Sequence, residues 1–427
     1  MTVRLIQLAK ALTVTGLLGS ACAAHAAAAT PLPVAAPSQQ GFSSDGLKRI
    51  DDFMAREIAA KRVPGAVVAI ARDGKLVHYK AYGQRDPASG APMTLDTVFG
   101  LASMTKIFTS VAALQLTQDG KLPLRSALSD YYPGFANMKV GVPQADGTLQ
   151  LAEPKRPIYI HDLFRHTSGL TYGGRGDHPI AKLYPAGTKP PYDGDTQAFI
   201  NTLTKLPLAH QPGEVFEYSF STDVLGAVVE KVTGQRLGAY LRAKVWDPLG
   251  MKDTGFELTD SFRPRVARPF AANPLDGKPQ SIPVVDKQTL FDCGGACGLG
   301  TVGDYLRFGQ MLMNGGTLDG KRILSPQWVK HMTANHLGPE INNRVSIVEG
   351  HREGFGFGLG VAVRTKAGLS AVPGNPGEYT WNGAFGTAFF SDPQERLVVV
   401  VGTAAPGELR KYYREQVQDM VYGAMTR

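Results

Sequence analysis

A serine and a lysine with the spacing of a catalytic pair lie in the segment GLASMTKIFTS, at Ser103 and Lys106. A serine hydroxyl becomes a good nucleophile when a neighbouring base removes its proton, and a lysine serves as that base when its surroundings disfavour the charged amine. Residues three apart on a helix lie on one face, so the two side chains can meet. The pair therefore predicts nucleophilic catalysis. The alternative is a helix-capping serine followed by a surface lysine.

The residues after the pair predict the helix that positions it. Ile107, Val111 and Leu114 recur at the spacing of one helix face, which predicts a helix over residues 103–120. The first turn of a helix carries a positive field from its backbone dipoles, and this field favours proton loss from groups placed there.

Tyr218 is the candidate for the second proton carrier that a serine–lysine site needs, because the leaving group must be protonated. It lies in the segment QPGEVFEYSF, a loop that opens with proline and glycine. A helix is predicted directly after it, over residues 222–232. Catalytic residues are often placed on loops of this kind.

The first 26 residues read as a secretory signal peptide, with Arg4 and Lys10, an apolar run, and a small-x-small cleavage site that ends at Ala26. Lipid anchoring at Cys22 is the less favoured alternative. No later stretch is apolar over the roughly 20 residues that span a bilayer. We therefore expect a periplasmic or secreted protein without a membrane span.

Charge and cysteine content narrow the classes of partner. Loss of Arg4 and Lys10 lowers the formal charge from +8 to +6, and the remaining basic residues are scattered, which argues against nucleic acid. The segment DCGGACGLG contains Cys293 and Cys297, which form either a short disulfide or two free thiols. No histidine or cysteine set has zinc spacing, so we expect no metal, and the proposed chemistry needs no cofactor. The sequence does not indicate an oligomeric state.

An α+β architecture follows from the order of the elements. A helix is predicted over residues 45–60, and Asp73-Gly74 lies between two strand-like runs as a hairpin turn. Further strands are predicted in GFGFGLGVAVRT, GTAFFSDP and ERLVVVVGT, with a helix over residues 408–425. Helices predicted between the two strand regions cover residues 196–205, 222–232, 237–245, 302–314 and 326–334. We expect a signal peptide (1–26), a flexible tail (27–40) and one domain (41–427), with an α/β lobe at 41–100 and 345–427 and a helical lobe at 101–344.

Several ordered motifs together resemble the β-lactamase-like serine hydrolases, and within them the family VIII carboxylesterases, which share the class C β-lactamase fold. They are Ser103-x-x-Lys106, HTSGL at 166–170, YSFSTDVLG from Tyr218, GLGTVGDYLRFGQMLMNGG at 298–316, and WNGAFGTAFFSDP at 381–393. The resemblance implies an antiparallel sheet from both chain ends with flanking helices and an inserted, mostly helical lobe. It implies Ser103 as the acylated nucleophile, Lys106 as its proton acceptor and Tyr218 as the acid/base. It also implies that the N–H groups of Ser103 and Ala384 form an oxyanion hole, whose donors contribute roughly 3 to 4 kcal/mol each.

Two departures from the family pattern bear on the substrate. Where lactamases and D-alanyl-D-alanine peptidases carry Lys-Thr-Gly, this chain has Trp381, Asn382 and Gly383, and an indole cannot anchor a substrate carboxylate as that lysine does. Phe220 replaces an asparagine beside the tyrosine. Both changes favour less polar esters over anionic amides, and simple core packing of Trp381 and Phe220 is the alternative.

The sequence thus predicts an exported serine esterase that acts on small molecules through a Ser103 acyl-enzyme. The alternatives are a β-lactamase or peptidase acting on amides, and a non-catalytic protein that binds cell-wall fragments. No G-x-S-x-G is present, which argues against an α/β-hydrolase. We interpret His166 as hydrogen-bonded scaffolding and Asp223 as an acid matched to the helix dipole.

Overall fold

An eight-stranded antiparallel sheet forms the centre of the molecule. The computed structural model describes residues 30–174, 178–186, 194–286 and 290–427. The strands are β1 (Gly65–Arg72), β2 (Lys75–Asp86), β3 (Ala91–Pro92), β4 (Phe355–Phe357), β5 (Ala362–Arg364), β6 (Tyr379–Asn382), β7 (Ala388–Asp392) and β8 (Leu397–Thr403). Their order is β4-β5-β6-β7-β8-β1-β2-β3, so the two chain ends join where β8 pairs with β1. This confirms the predicted sheet built from both ends.

The predicted hairpin around Asp73-Gly74 is confirmed as β1 and β2. Asp73 and Gly74 have φ values of 55° and 71°, as the two-residue turn of a tight hairpin requires. The strand β1 is buried on both faces, which explains its near-continuous run of apolar residues.

Helices cover both faces of the sheet. The α-helices of the described residues are α1 (Ser44–Ala59), α2 (Thr105–Gln118), α3 (Ile160–Phe164), α4 (Thr196–Leu203), α5 (Ser221–Thr233), α6 (Leu237–Leu241), α7 (Pro283–Asp286), α8 (Val302–Met313), α9 (Pro326–Met332), α10 (Val345–Val348) and α11 (Leu409–Gly423). The helices α1 and α11 pack together, and their apolar side chains share one core with outer-face residues of β1 and β8 such as Val68 and Val399. The opposite face, with Val67 and Val400, packs on α8 and the larger core.

The structure differs from the predicted elements at three places. The helix predicted over 103–120 begins with a 3₁₀ turn, Ala102–Met104, before α2. The segment GFGFGLGVAVRT is two paired strands, β4 and β5, because its glycine-rich centre turns. The helix predicted over 237–245 is α6 followed by a π-helical turn, Arg242–Trp246.

Part of the predicted tail is tied to the sheet, since the N–H of Ala35 donates to the carbonyl of Leu76 and the N–H of Leu76 donates to that of Pro33. The helix α8 lies in the range predicted for the helical lobe but packs on the sheet. The lobe boundaries and the signal peptide remain predictions, and residues 1–26 lie outside the described part.

A small three-stranded sheet brings distant segments together beside Ser103. Phe99–Gly100 pairs with Leu299–Gly300, which in turn pairs with Thr254–Gly255. The N–H of Leu101 continues the pairing by donating to the carbonyl of Gly298 at 2.8 Å. In the described residues, no helix combines the length and apolarity that a bilayer crossing requires.

Candidate active site

Ser103 lies at the junction between the small sheet and α2, on a backbone fixed from both sides. Ala102 has a φ of 45°, a left-handed conformation that residues with a Cβ rarely adopt and that is typical of functional sites. The Tyr305 hydroxyl donates to the carbonyl of Met104 at 3.0 Å. Ser103 itself is half-buried between two buried neighbours, so its hydroxyl is held at the edge of the solvent-accessible surface.

Lys106 brings a fully buried amine to the serine. Its Nζ lies 3.4 Å from the Oγ of Ser103 and donates to the carbonyl of Gly295 at 2.7 Å. Nζ also lies 4.6 Å from the ring centre of Tyr218. The structure therefore brings together the three residues that the sequence proposed as catalytic.

Asp223 is closer to this chemistry than the sequence indicated. It lies in the first turn of α5, as expected for a dipole-matched acid, but it is also buried near Lys106. Its Oδ1 accepts from the N–H of Gly295 at 2.9 Å, and Tyr172 donates to its Oδ2 at 3.4 Å. Burial raises the pKa of Asp223, and the charge of Lys106 opposes that rise. Asp223 is thus a buried acid whose carboxylate form offsets the charge that Lys106 gains when it takes a proton.

The loop of Gly295 links these groups. A Cβ at residue 295 would lie 2.2 Å from Asp223 Oδ2, so only glycine allows this approach. The loop is closed by a disulfide between Cys293 and Cys297, which resolves the alternative left open by the sequence.

Tyr218 is oriented by Trp381. The indole Nε1–H donates to the Oη of Tyr218 at 3.0 Å. Because an indole N–H can only donate, the tyrosine oxygen is the acceptor in this bond and its own proton must point elsewhere. Trp381 is only 2% exposed. Its hydrogen bond positions Tyr218, a contact that the sequence did not indicate.

Two of the predicted substrate-binding side chains are turned away from Tyr218. Phe220 is fully buried against Tyr172 and Phe199, which matches the packing alternative. Asn382 follows Trp381 in β6, and adjacent strand residues point to opposite faces. Its Nδ2 donates to Glu349 at 2.7 Å in a buried hydrogen bond, and its contact with substrate stays a prediction.

The turn after β6 carries the predicted second oxyanion donor. Gly383 approaches Leu101 so closely that a Cβ would lie 2.3 Å from the Leu101 carbonyl oxygen, and the Thr387 hydroxyl donates to the same oxygen at 3.2 Å. The turn is therefore packed against the backbone that leads to Ser103. The N–H groups of Ser103 and Ala384 donate to no backbone carbonyl among the described residues, so both are available to a ligand.

His166 supports the tyrosine loop, as the scaffolding interpretation expects. It is buried, its ring centre lies 4.7 Å from that of Tyr218, and its Nδ1 accepts from the N–H of Ser219 at 3.3 Å. Across the described ranges, no three histidine, cysteine or acidic side chains converge as metal ligands do.

The contacts that sequence analysis missed come from distant parts of the chain. They involve Tyr172, Gly295, Glu349, Arg352 and Arg414. Arg414, in α11, donates to the carbonyl oxygens of Gly383 and Thr387. No local pattern pointed to them, because partners such as Lys106 for Gly295, and Glu349 and Thr387 for Arg414, lie 189, 65 and 27 residues away.

This fold and site are those of a serine hydrolase, and comparison with known proteins gives the family. The chain belongs to the Beta-lactamase family, whose model matches residues 48–419. It is 30% identical to esterase EstB of Burkholderia gladioli over 83% of this chain and 89% of the relative. It is 27% identical to a putative D-alanyl-D-alanine carboxypeptidase of Escherichia coli K12 over 91% of this chain and 89% of the relative. Among solved structures it is similar to EstCE1, a hydrolase with promiscuous acyltransferase activity, with a TM-score of 0.72, 28% identity, and coverage of 88% of this chain and 98% of that one.

Proposed function

We propose that the protein is a serine esterase that cleaves carboxylic esters of small molecules through an acyl-enzyme on Ser103. In this scheme the Oγ of Ser103 attacks the ester carbonyl while Lys106 takes its proton. The N–H groups of Ser103 and Ala384 stabilise the oxyanion. Tyr218 delivers a proton to the leaving alcohol, and the alkoxide–carbonyl bond breaks. Water then attacks the acyl group and gives one proton to the deprotonated Tyr218. The bond between Oγ and the acyl carbon breaks, the acid leaves, and Lys106 returns its proton to Ser103.

One observation carries the preference for esters over anionic amides: the hydrogen bond from Trp381 to Tyr218. At the place where lactamases present a lysine to the substrate carboxylate, this side chain is buried and points at the general acid/base. A substrate carboxylate therefore meets no cation from this position. The esterase relative supports the same preference.

The test is a pair of initial-rate assays on p-nitrophenyl butyrate and a chromogenic cephalosporin, for the wild type and Ser103→Ala. We expect ester hydrolysis that falls by about 10³-fold or more in the variant, with little lactam turnover. Fast cephalosporin hydrolysis would favour the lactamase alternative instead. Ester hydrolysis that survives in Ser103→Ala would overturn the proposed nucleophile, and folding of the variant is checked by its melting temperature.

We also propose that the enzyme is exported through residues 1–26. The disulfide between Cys293 and Cys297 supports this, because such bonds persist in oxidising compartments. N-terminal sequencing of the protein from a periplasmic or culture fraction should find Ala27 first. A lipid-modified Cys22 at the N-terminus, or an intact Met1, would contradict it.

A further inference from the structure

A buried charge cluster lies behind the segment that carries Trp381. Its members are Glu349, Arg352 and Arg414, and all three side chains are about nine-tenths buried or more. An Nη of Arg352 lies 3.0 Å from Glu349 Oε2, and Arg414 pairs with the other oxygen. Burial raises the pKa of Glu349, but the charges of Arg352 and Arg414 outweigh this effect and the pKa lies at about 2. Two guanidinium groups and one carboxylate leave one positive charge in the cluster.

The guanidinium of Arg352 lies over the indole ring of Trp381. Its Cζ lies 4.4 Å from the ring centre of Trp381, an arrangement in which a cation is attracted to the aromatic face. None of its three side-chain nitrogens has an acceptor in hydrogen-bond geometry among the described residues, despite the short approach to Glu349. A buried guanidinium with so little hydrogen bonding is costly, which suggests that its charge is retained for a purpose.

The indole connects that charge to the proposed acid/base. Trp381 receives the cation on its ring face and donates its N–H to the Oη of Tyr218. When Tyr218 gives its proton to the leaving alcohol, its oxygen becomes negative, and both the N–H and the cation behind it stabilise that oxygen.

We propose that Arg352 is a positioning residue that supplies positive charge to Tyr218 through Trp381. The inference rests on the proposed function, because it assigns a role within the same proton transfer. Arg352 is 1% exposed and cannot touch substrate. The site therefore gains support for the tyrosine oxygen without a cation that would select anionic substrates.

The charged and titratable groups around Arg352 are few enough to define the experiment. Close to Arg352 lie Glu349, Glu378, Tyr218 and Arg414. His351 and Glu415 lie beside Glu349, and Arg364 pairs with Glu378. Burial lowers the pKa of His351 to about 4, so it is neutral at the pH of the assays. Arg364 offers a matched control, since it is equally buried, pairs with Glu378 at 2.9 Å, and lies 4.8 Å from the ring centre of Phe355 rather than against Trp381.

The experiment compares Arg352→Met, Arg352→Lys and Arg364→Met on p-nitrophenyl butyrate across pH. Active enzyme is counted by titration with a fluorophosphonate. We expect Arg352→Met to lower kcat by about tenfold or more with KM within about twofold, and to move the alkaline limb of the kcat/KM profile, where the proton donor Tyr218 loses its proton, to higher pH. Arg352→Lys should restore most of the loss, and Arg364→Met should change neither kcat nor the limb per active site.

The role of Arg352 is overturned if Arg352→Met leaves kcat and the alkaline limb unchanged, or if Arg364→Met shifts them equally. Should Arg352→Met fail to fold, Trp381→Phe decides, because it keeps a ring beneath the guanidinium but removes the N–H. We expect it to move the alkaline limb to higher pH as well, and an unmoved limb contradicts the relay. Hydrolysis that does not depend on Ser103 would instead overturn the proposed function itself, so the two failures are distinguishable.

Discussion

At the scale of single residues, the proposed site depends on where two buried charges are placed. Lys106 is fully buried between Ser103 and Tyr218, and Asp223 lies on the other side of Gly295. Gly295 accepts from the lysine through its carbonyl and donates to the aspartate through its N–H. The ammonium that forms when Lys106 takes the proton of Ser103 would be costly in isolation, and the carboxylate of Asp223 offsets that cost.

Replacement of Asp223 by asparagine should weaken catalysis more than folding. The amide can still accept from the Gly295 N–H, but the negative charge that faces Lys106 is lost. We expect kcat/KM to fall by about 10²-fold on p-nitrophenyl butyrate, measured per titrated active site. Asp304→Asn is the control, because this half-buried aspartate, in the first turn of α8, accepts from the hydroxyl of Thr254 instead of facing Lys106. Equal losses in both variants would assign Asp223 a structural role only.

At the scale of elements, a short covalent loop positions the lysine. The disulfide between Cys293 and Cys297 encloses Gly294 and Gly295, whose carbonyl oxygens accept from Thr109 at 2.8 Å and Lys106 at 2.7 Å. Both donors, Lys106 and Thr109, lie on the α2 face that begins at Ser103. The loop thus sets the position of the first turns of α2 relative to α5.

The double variant Cys293→Ala/Cys297→Ala should lose both stability and rate. Loop-closure entropy for so short a ring gives a loss of about 2 kcal/mol in the free energy of unfolding, measured by urea denaturation. We also expect a lower kcat per titrated active site, because the Gly295 carbonyl is less firmly held. A variant that is destabilised but keeps its full kcat would show that the disulfide stabilises the fold without positioning Lys106.

The sequence predicted local elements better than the contacts between them. Turn chemistry between two strand-like runs predicted the Asp73-Gly74 hairpin, and the motif resemblance placed Trp381 at the position of the family's Lys-Thr-Gly. The hydrogen bond between Trp381 and Tyr218 could not be predicted from the sequence, because it depends on which face of β6 each residue occupies. Likewise, nothing near Arg414 in the sequence shows that α11 binds the Gly383 turn, 31 residues away.

At the scale of the whole molecule, buried titratable groups set the dependence of stability on pH. Burial is the largest cause that lowers the pKa of four histidines: His78, His336 and His351 to about 4, and His161 to about 3. Burial also raises the pKa of Asp304 to about 6 and of Glu378 to about 7. The histidines bind more protons in the unfolded state between about pH 4 and 6.5, whereas these two carboxylates bind more in the folded state over much of the same range.

Burial also raises the pKa values of five further carboxyl groups, which act in the same sense as Asp304 and Glu378: Asp223, Glu230, Asp292, Glu415 and Asp419. A substitution therefore isolates the histidine contribution. Because His336 binds its proton more readily in the unfolded state, the wild type should lose more free energy of unfolding than His336→Asn as the pH drops from about 6.5 toward 4, measured by urea denaturation at several pH values. An equal pH dependence in the two proteins would contradict this role of His336.

The most direct test of the central claim is to trap the acyl-enzyme. The protein is mixed with p-nitrophenyl butyrate, quenched in acid within the first turnovers, and its mass and proteolytic peptides are measured. The proposed mechanism predicts one butyryl group on the peptide that contains Ser103, and none in Ser103→Ala. Rapid hydrolysis with no acylated peptide, or a butyryl group on another residue, would contradict Ser103 as the nucleophile.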